Sequence, residues 1–268
     1  MKQVLTIAGL DSLAGGGATA DIKTFEEFNT FGHIVLTCVA AINEEITIYD
    51  IPPATLKDQL ASVTAFTRLA AIKIDLLHTL ETIELVKNFL VTQDCPIILD
   101  PVLAFKEGQT KANQEYQHAL QSLFSLATIV TPNLVEAEYF ANQAITTREE
   151  MKIAAKKIKA LGPAFVLIKG GARLNGQQAC DLLYDGDDFF FFETPKSPKQ
   201  TTNGAGCTLS AAIAALLATD RSMTDAVQQA KDFVFAGIEN GLQLTESLGN
   251  VDQLAYFRKG VTSCLPRN

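Results

Sequence analysis

Short runs of β-branched and aliphatic residues recur along the chain: "VLTIAG" from Val4, "IVLTCVAA" from Ile34, "AAIKID" from Ala70, "PIILDPV" from Pro96, "ATIVTPN" from Ala127 and "AFVLIKGG" from Ala164. Segments with apolar residues at helical spacing lie between them, among them "TADIKTFEEFNTFG", "TLKDQLASVTAF", "LETIELVKNFLV" and "REEMKIAAKKIKALG". Strands that are apolar on both faces, alternating with amphipathic helices, predict a mostly parallel sheet covered on both sides. The expected fold class is therefore α/β, a three-layer α/β/α sandwich. The first strand is expected to end near Ala8. From Ala179 the pattern changes. "ACDLLYD", the turn "DGDD" and "FFFFETP" predict an antiparallel hairpin, and four consecutive phenylalanines call for at least one covered face. Two helices follow, "GCTLSAAIAALLA" and "MTDAVQQAKDFVFAGIENGL". No repeat, linker or composition break interrupts residues 1–268, so a single domain is expected. The polar segment "FKEGQTKANQEYQ" is a candidate lid.

Composition narrows the function classes. The formal net charge is −8, whereas nucleic-acid and anionic-membrane surfaces need clustered Lys and Arg, so small-molecule work is expected. Cys38, Cys95, Cys180, Cys207 and Cys264 are scattered, with no CxxC and no Cys/His spacing suited to zinc. A reducing, cytoplasmic setting fits them. The apolar start is too short for a signal segment, and no stretch of about 18 apolar residues occurs.

Several residues have chemistry suited to a site, each beside a plainer structural use. "GLDSLAGGGATA" satisfies G-x-G-x-x-G/A loosely through Gly15, Gly17 and Ala20. The loop after the strand is too long for a dinucleotide turn, and no Walker lysine occurs. Glycines beside Asp11 still let a ligand approach the backbone. Asp100 ends an apolar strand, where open α/β sheets bind ligands. Asn133 and Glu136, three apart at a helix start, suit either a capping pair or, with Asp100, a hydrated Mg²⁺. Lys169 follows a strand and can reach a phosphate or point to solvent. In "NGAGCTLSAA", N–H groups of Gly204, Ala205, Gly206 and Cys207 at a helix start make an anion site, or a plain Gly-rich turn with a small buried cysteine. A helix N-terminus lowers a thiol's pKa, which would suit Cys207 to a base's work.

Taken together these motifs resemble the ribokinase-like vitamin kinases, in the branch holding bacterial pyridoxal kinases and hydroxymethylpyrimidine (phosphate) kinases. "LTIAGLDSLAGGGATADIKTF" resembles that branch's AGSDxSGGAGxQADLKTF, "ILDPV" its DPV, "TPNLVEAE" its TPNxxEA, "VLIKGG" its VKGG, and "NGAGCTLSAA" its HG[AT]GCT[FL]SAA. The resemblance implies a ribokinase-like fold, ATP, Mg²⁺, a small vitamin-precursor acceptor and a homodimer. It further implies an anion hole of Gly204, Ala205 and Gly206 and a base at Cys207. Asn133 and Lys169 fall to the ATP phosphates, Asp100 and Glu136 to the metal, and Asp11 with Gly17 to the acceptor pocket.

The departures shape the expected substrate. The tripeptide that supplies a ring-binding Gln in the pyrimidine kinases is "AIN" here, with Ile42 in the Gln place and Asn43 after it. An apolar residue there favours pyridoxal or pyridoxine, with hydroxymethylpyrimidine or its phosphate as the alternative. "KTGML" becomes "KIDLL", placing Asp75 where Gly lets substrate approach. Phe105 replaces a lid cysteine, and Asn203 replaces the His before GxGC, which removes a charge relay. These changes leave open a catalytically weakened vitamin-binding homologue.

Overall fold

The computed structural model describes residues 1–42, 46–103 and 114–258. Strand β1 (Gln3–Asp11) leads through a glycine loop to helix α1 (Gly17–Glu27), then to β2 (Phe31–Ile42), which pairs with β3 (Ile46–Asp50). Next come α2 (Pro53–Phe66), β4 (Ala71–Ile74), α3 (Leu80–Leu90), β5 (Ile97–Leu99), α4 (Gln114–Gln121) and β6 (Ile129–Val130). Then follow α5 (Leu134–Ala141), α6 (Arg148–Lys159), β7 (Phe165–Lys169), β8 (Gln178–Tyr184) and β9 (Phe189–Pro195). The chain continues with α7 (Ala205–Ala218), α8 (Met223–Glu239), a two-stranded ribbon of β10 (Leu242–Gln243) and β11 (Gly249–Asn250), and α9 (Ala255–Arg258).

Nine strands form one sheet in the order β3-β2-β1-β4-β5-β6-β7-β8-β9. Strands β2, β1, β4, β5, β6 and β7 run parallel, as their apolar runs predict, and both edges are antiparallel. The expected hairpin is β8–β9. The β2–β3 ribbon was not anticipated, because the residues of "ITIYD" are mostly exposed and show no buried alternation. Strand β1 also runs to Asp11 rather than ending near Ala8. Its register with β2 shifts at Gly9, and pairing then resumes through Leu10 and Asp11.

Successive strand residues enter opposite cores, as the two-residue strand period requires. Leu5, Ile7, Ile97 and Leu99 pack with Leu56 of α2, Val86 of α3 and Met151 of α6. Val4, Ile98 and Leu167 pack on the other face with Phe25 of α1, Ile213 of α7 and Phe233 of α8. Helix α7 consists largely of small residues, most of them buried, which lets it lie close to the sheet between α1 and α8. The four phenylalanines stand on the edge strand β9 and are covered. Phe192 is buried, while Arg148 lies 5.1 Å from the Phe191 ring and Lys156 lies 5.5 Å from the Phe189 ring. These cations shield an edge that would otherwise invite strand addition.

The lid assigned to residues 105–117 is corrected at its C-terminal end. Gln114–Gln117 belong to α4, where Tyr116 and Gln117 are buried and the Tyr116 hydroxyl donates to the Leu77 carbonyl at 2.8 Å. The remainder of that segment, Phe105 included, lies outside the described residues, as does Asn43. Among the described residues no helix is long and apolar enough to cross a membrane.

Candidate active site

The sheet order reverses direction between β1 and β4, and polar residues gather at the carboxyl ends of the strands on and beyond that point. Asp11 ends β1, Asp75 follows β4, Asp100 follows β5, Asn133 follows β6 and Lys169 ends β7. The N-terminus of α7 faces this row. Gly206 brings its backbone to it: a Cβ there would lie 3.2 Å from Lys169 Nζ and 3.9 Å from Asp100 Oδ2. The Ser210 hydroxyl, one turn on, donates to Asp100 Oδ2 at 3.2 Å.

Two glycine turns meet at the centre. Gly204 caps α7 with φ of +83°, and a Cβ on it would fall 1.6 Å from the Gly15 carbonyl oxygen, so no side chain fits. Asp11 shapes the facing loop by accepting the amides of Leu13 (2.8 Å), Gly15 (3.1 Å) and Gly16 (3.1 Å). A Cβ on Gly16 would stand 3.6 Å from Cys207 Sγ and 4.0 Å from Asp11 Oδ2, so Gly16 is the glycine facing the thiol. Gly17 is pressed against β1 at φ of +58°, where a Cβ would come within 2.2 Å of the Gly9 carbonyl oxygen.

The start of α7 differs from expectation in two further respects. The Ala205 amide donates back to Thr202 O at 3.1 Å and is spent in that turn. The Gly206 and Cys207 amides have no backbone acceptor outside the helix among the described residues. Asn203 is a tie rather than a free side chain. Its Nδ2 donates to Asn250 Oδ1 at 2.8 Å, and Asn250 Nδ2 donates to the Leu13 carbonyl at 2.8 Å, clamping the glycine loop to the α7 turn. Asn250 was not foreseen, since 47 residues separate it from its partner.

Charge in the row is dense and buried. Lys169 Nζ lies 2.7 Å from Asp100 Oδ1. Burial works against the Lys169 charge, but Asp100 and Glu136 more than offset it and raise its pKa. Asn133 and Glu136 do form the capping box: Glu136 N–H donates to Asn133 Oδ1 at 3.0 Å, and Asn133 N–H donates to Glu136 Oε2 at 2.7 Å. Burial pushes the Glu136 carboxyl up to about 7, with Lys169 opposing and Asp100 adding to the rise. Lys169 is paired with Asp100, and Glu136 accepts the Asn133 amide through one oxygen, so the carboxylate oxygens of Asp100 and Glu136 form a donor set that suits a hard, hydrated divalent cation.

Asp75 is buried, and Lys73 holds it at 2.6 Å. Burial and the Asp75 charge push the half-buried Cys207 thiol well above its ordinary pKa, and Lys73 opposes them only in part. The lowering expected at a helix N-terminus is therefore overridden. Ile42 is half-buried at the end of β2, paired in register with Ile46.

Beside the α7 turn lies a cavity of about 440 Å³, within the range of small-molecule sites. Asn133, Lys169, Ala205 and Gly206 line its end at the row, and Asp181 and Lys231 lie in its wall. Lys231 Nζ is 2.7 Å from Asp181 Oδ2, while Asp181 Oδ1 accepts the Gly171 amide at 3.1 Å. Neither residue stood out in the sequence, because a lysine on an amphipathic helix and an aspartate in a hairpin strand each have ordinary solvent-facing uses. Cys207 is not among the cavity's lining residues and faces the glycine loop instead.

The phosphomethylpyrimidine kinase family pattern matches residues 11–252. The chain is 37% identical over 256 residues to a pyridoxine kinase of Bacillus subtilis, covering 93% of this chain and 94% of that one. It is 38% identical over 266 residues to a hydroxymethylpyrimidine/phosphomethylpyrimidine kinase of Haemophilus influenzae, covering 96% and 98%. The structure superposes with a TM-score of 0.90 on the pyridoxal kinase from Staphylococcus aureus in complex with AMP-PCP and pyridoxal. That protein is 35% identical, with 96% of this chain and 95% of the other covered.

Proposed function

The chain belongs to the phosphomethylpyrimidine kinase family, and from that premise we propose that it transfers the γ-phosphoryl group of ATP to the 5′-hydroxymethyl group of pyridoxal or pyridoxine. The observation that carries this reading is the turn Gly204–Cys207. A single turn of backbone has a nucleotide-sized cavity on one side and a thiol against the glycine loop on the other. Phosphoryl transfer needs that layout: the moving group passes the turn, and the attacking hydroxyl waits beyond it.

The roles follow from position. The Gly206 and Cys207 amides, backed by the α7 dipole, stabilise charge on the transferring phosphoryl group, and Gly204 makes the turn tight enough to aim them. Lys169 supplies positive charge to the ATP phosphates, and Asn133 borders the same cavity. Asp100 and Glu136 would hold Mg²⁺, which when bound neutralises phosphate oxygens. Cys207 handles the proton of the acceptor hydroxyl, and Asp11 acts through the loop it shapes.

Ile42 supports a B6 vitamer as acceptor, since an aliphatic side chain offers a pyrimidine ring nitrogen or amine no hydrogen bond and leaves such a group unpaired. The 38% identity to a hydroxymethylpyrimidine kinase favours that acceptor as the second reading. Side-by-side turnover of pyridoxal, pyridoxine, hydroxymethylpyrimidine and its phosphate with Mg·ATP tests both. A higher kcat/KM for a B6 vitamer is expected, and preference for either pyrimidine overturns the assignment.

A further inference from the structure

Two amide side chains bridge the seam between the glycine loop and the α7 turn. Asn203 Nδ2 donates to Asn250 Oδ1 at 2.8 Å, and Asn250 Nδ2 donates to the Leu13 carbonyl at 2.8 Å. Asn250 is itself fixed, being buried on β11 where it pairs with Leu242 of β10. The backbone on either side of it binds the α7 turn: the Asn203 amide donates to the Gly249 carbonyl at 3.0 Å, and the Val251 amide donates to the Asn203 carbonyl at 3.1 Å. The amide pair packs on Gly15, where a Cβ would fall 2.0 Å from Asn203 Nδ2 and 2.4 Å from Asn250 Oδ1.

The loop needs such a hold. Ala14, directly after the pinned Leu13 carbonyl, stands at φ of +56°, a left-handed conformation that disfavours a residue with a Cβ. Asp11 of β1 accepts the Leu13, Gly15 and Gly16 amides, and Lys23 of α1 donates to the Ala14 carbonyl at 3.2 Å. Both restrain the loop from its own side of the site. Among the described residues, the hydrogen bond that ties it across to the α7 turn comes from Asn250.

We propose that Asn250 is a positioning residue for phosphoryl transfer: through Asn203 and the Leu13 carbonyl it holds the glycine loop, and with it the acceptor hydroxyl, in register with the Gly206 and Cys207 amides. The proposal rests on the kinase reading above. Gly16 faces the thiol from the loop, and the Gly15 carbonyl lies directly against Gly204, so a shift of the loop moves the acceptor's side of the site as a whole. Backbone contact between Gly15 and Gly204 resists closer approach but not separation, whereas a hydrogen bond resists separation. Transfer is sensitive to that separation, because a misplacement of about 1 Å can cost about 100-fold in rate. The tie is made of uncharged amides and adds no net charge beside the transferring group. Neither asparagine lines the nucleotide-sized cavity, so ATP binding does not depend on it.

The test uses the full-length protein with Asn250→Ala, Asn203→Ala and the double substitution. The quantities measured are kcat with Mg·ATP and the acceptor the wild type prefers, ATP Kd by calorimetry, and amide hydrogen exchange of peptides spanning residues 12–17. In Asn250→Ala, loop exchange should be at least about fivefold faster. Its kcat should fall at least about tenfold with ATP Kd within about twofold of wild type. Asn203→Ala keeps the backbone bridge and the Asn250 bond to Leu13, so its kcat should fall less, by about threefold, with a smaller rise in loop exchange. The double substitution should stay within about twofold of Asn250→Ala, since both changes open one clamp.

Unchanged loop exchange in Asn250→Ala overturns the proposal, as does faster exchange with wild-type kcat. An ATP affinity that falls in step with kcat also overturns it, because the whole site has then loosened. A slower Asn203→Ala than Asn250→Ala assigns the effect to Asn203 itself and removes Asn250 from the role. If Asn250→Ala does not fold, Asn203→Ala decides, and wild-type exchange and kcat in that variant sink the idea. A wild-type protein that phosphorylates no acceptor brings down the kinase reading and the role with it, whereas a failed clamp leaves wild-type turnover intact.

Discussion

Replacing Lys73 by Met tests whether the charge cluster under the site is held together as the distances imply. Lys73 is fully buried and makes three close contacts to two carboxylates, so the substitution strands both of them without a cation. Removing one partner of a buried ion pair costs about 3–5 kcal/mol, and two stranded carboxylates place this case at the upper end. At roughly 2 cal/mol/K of unfolding entropy per residue, a chain of 268 residues loses about 7–9 °C in Tm. The pH dependence gives a sharper check. Burial already raises Asp21 to about 7 in the wild type, and losing Lys73 raises both carboxylates further. A carboxyl raised in the folded state binds a proton there before the unfolded chain does, so its contribution to stability is present at low pH and lost as pH rises through the folded value. The deficit of Lys73→Met against wild type should therefore be largest near pH 8 and smaller near pH 5. Urea unfolding followed by far-UV circular dichroism at both pH values measures it, and converting Asp21 and Asp75 to Asn in the same chain should recover part of the loss. A deficit under about 1 kcal/mol near pH 8, or an equal deficit at the two pH values, would refute the reasoning.

Three other outcomes are expected. Gly204→Ala places a Cβ where the Gly15 carbonyl stands, on a residue with φ of +83°, so the two turns must part; a loss exceeding about 2 kcal/mol and a near-complete loss of turnover are expected, readable by thermal melts and a coupled ADP assay. Glu136 is raised to about 7 from an ordinary 4.5, so it stabilises the fold fully below about pH 4 and loses that contribution as pH rises through 7; Glu136→Gln should flatten the pH dependence of the urea midpoint over that window and raise the Mg²⁺ concentration needed for half-maximal rate. Cys207→Ala should lower kcat by about 100-fold or more while ATP affinity, measured by calorimetry, changes by no more than about threefold; equal activity would remove the thiol from the reaction.

Local pattern carried much of this protein. Apolar runs such as "PIILD" and "AFVLIK" can be satisfied only inside a covered parallel sheet. Gly and Asp between β-formers demand a hairpin, and Asn133 with Glu136 at a helix start forms the capping box its spacing allows. Asp100, Lys169 and the GAGC turn, which the fold brings together, were legible as candidates because strand ends and helix starts are marked by short-range signals. The edge strand β3 was not, since its residues are mostly exposed and leave no buried periodicity.

What tertiary structure alone decided is which polar groups meet. Lys73 stands 52 residues from Asp21, Lys231 stands 50 from Asp181, and Asn250 reaches back 237 to the Leu13 carbonyl. It turned Asn203 into a clamp, set Gly16 against the thiol, and buried Asp75 in an ion pair with Lys73. The physical reason is one of range. Backbone preference and hydrophobic period are written in neighbouring residues, whereas the field around a thiol depends on charges that come together only after the strand order has closed around them.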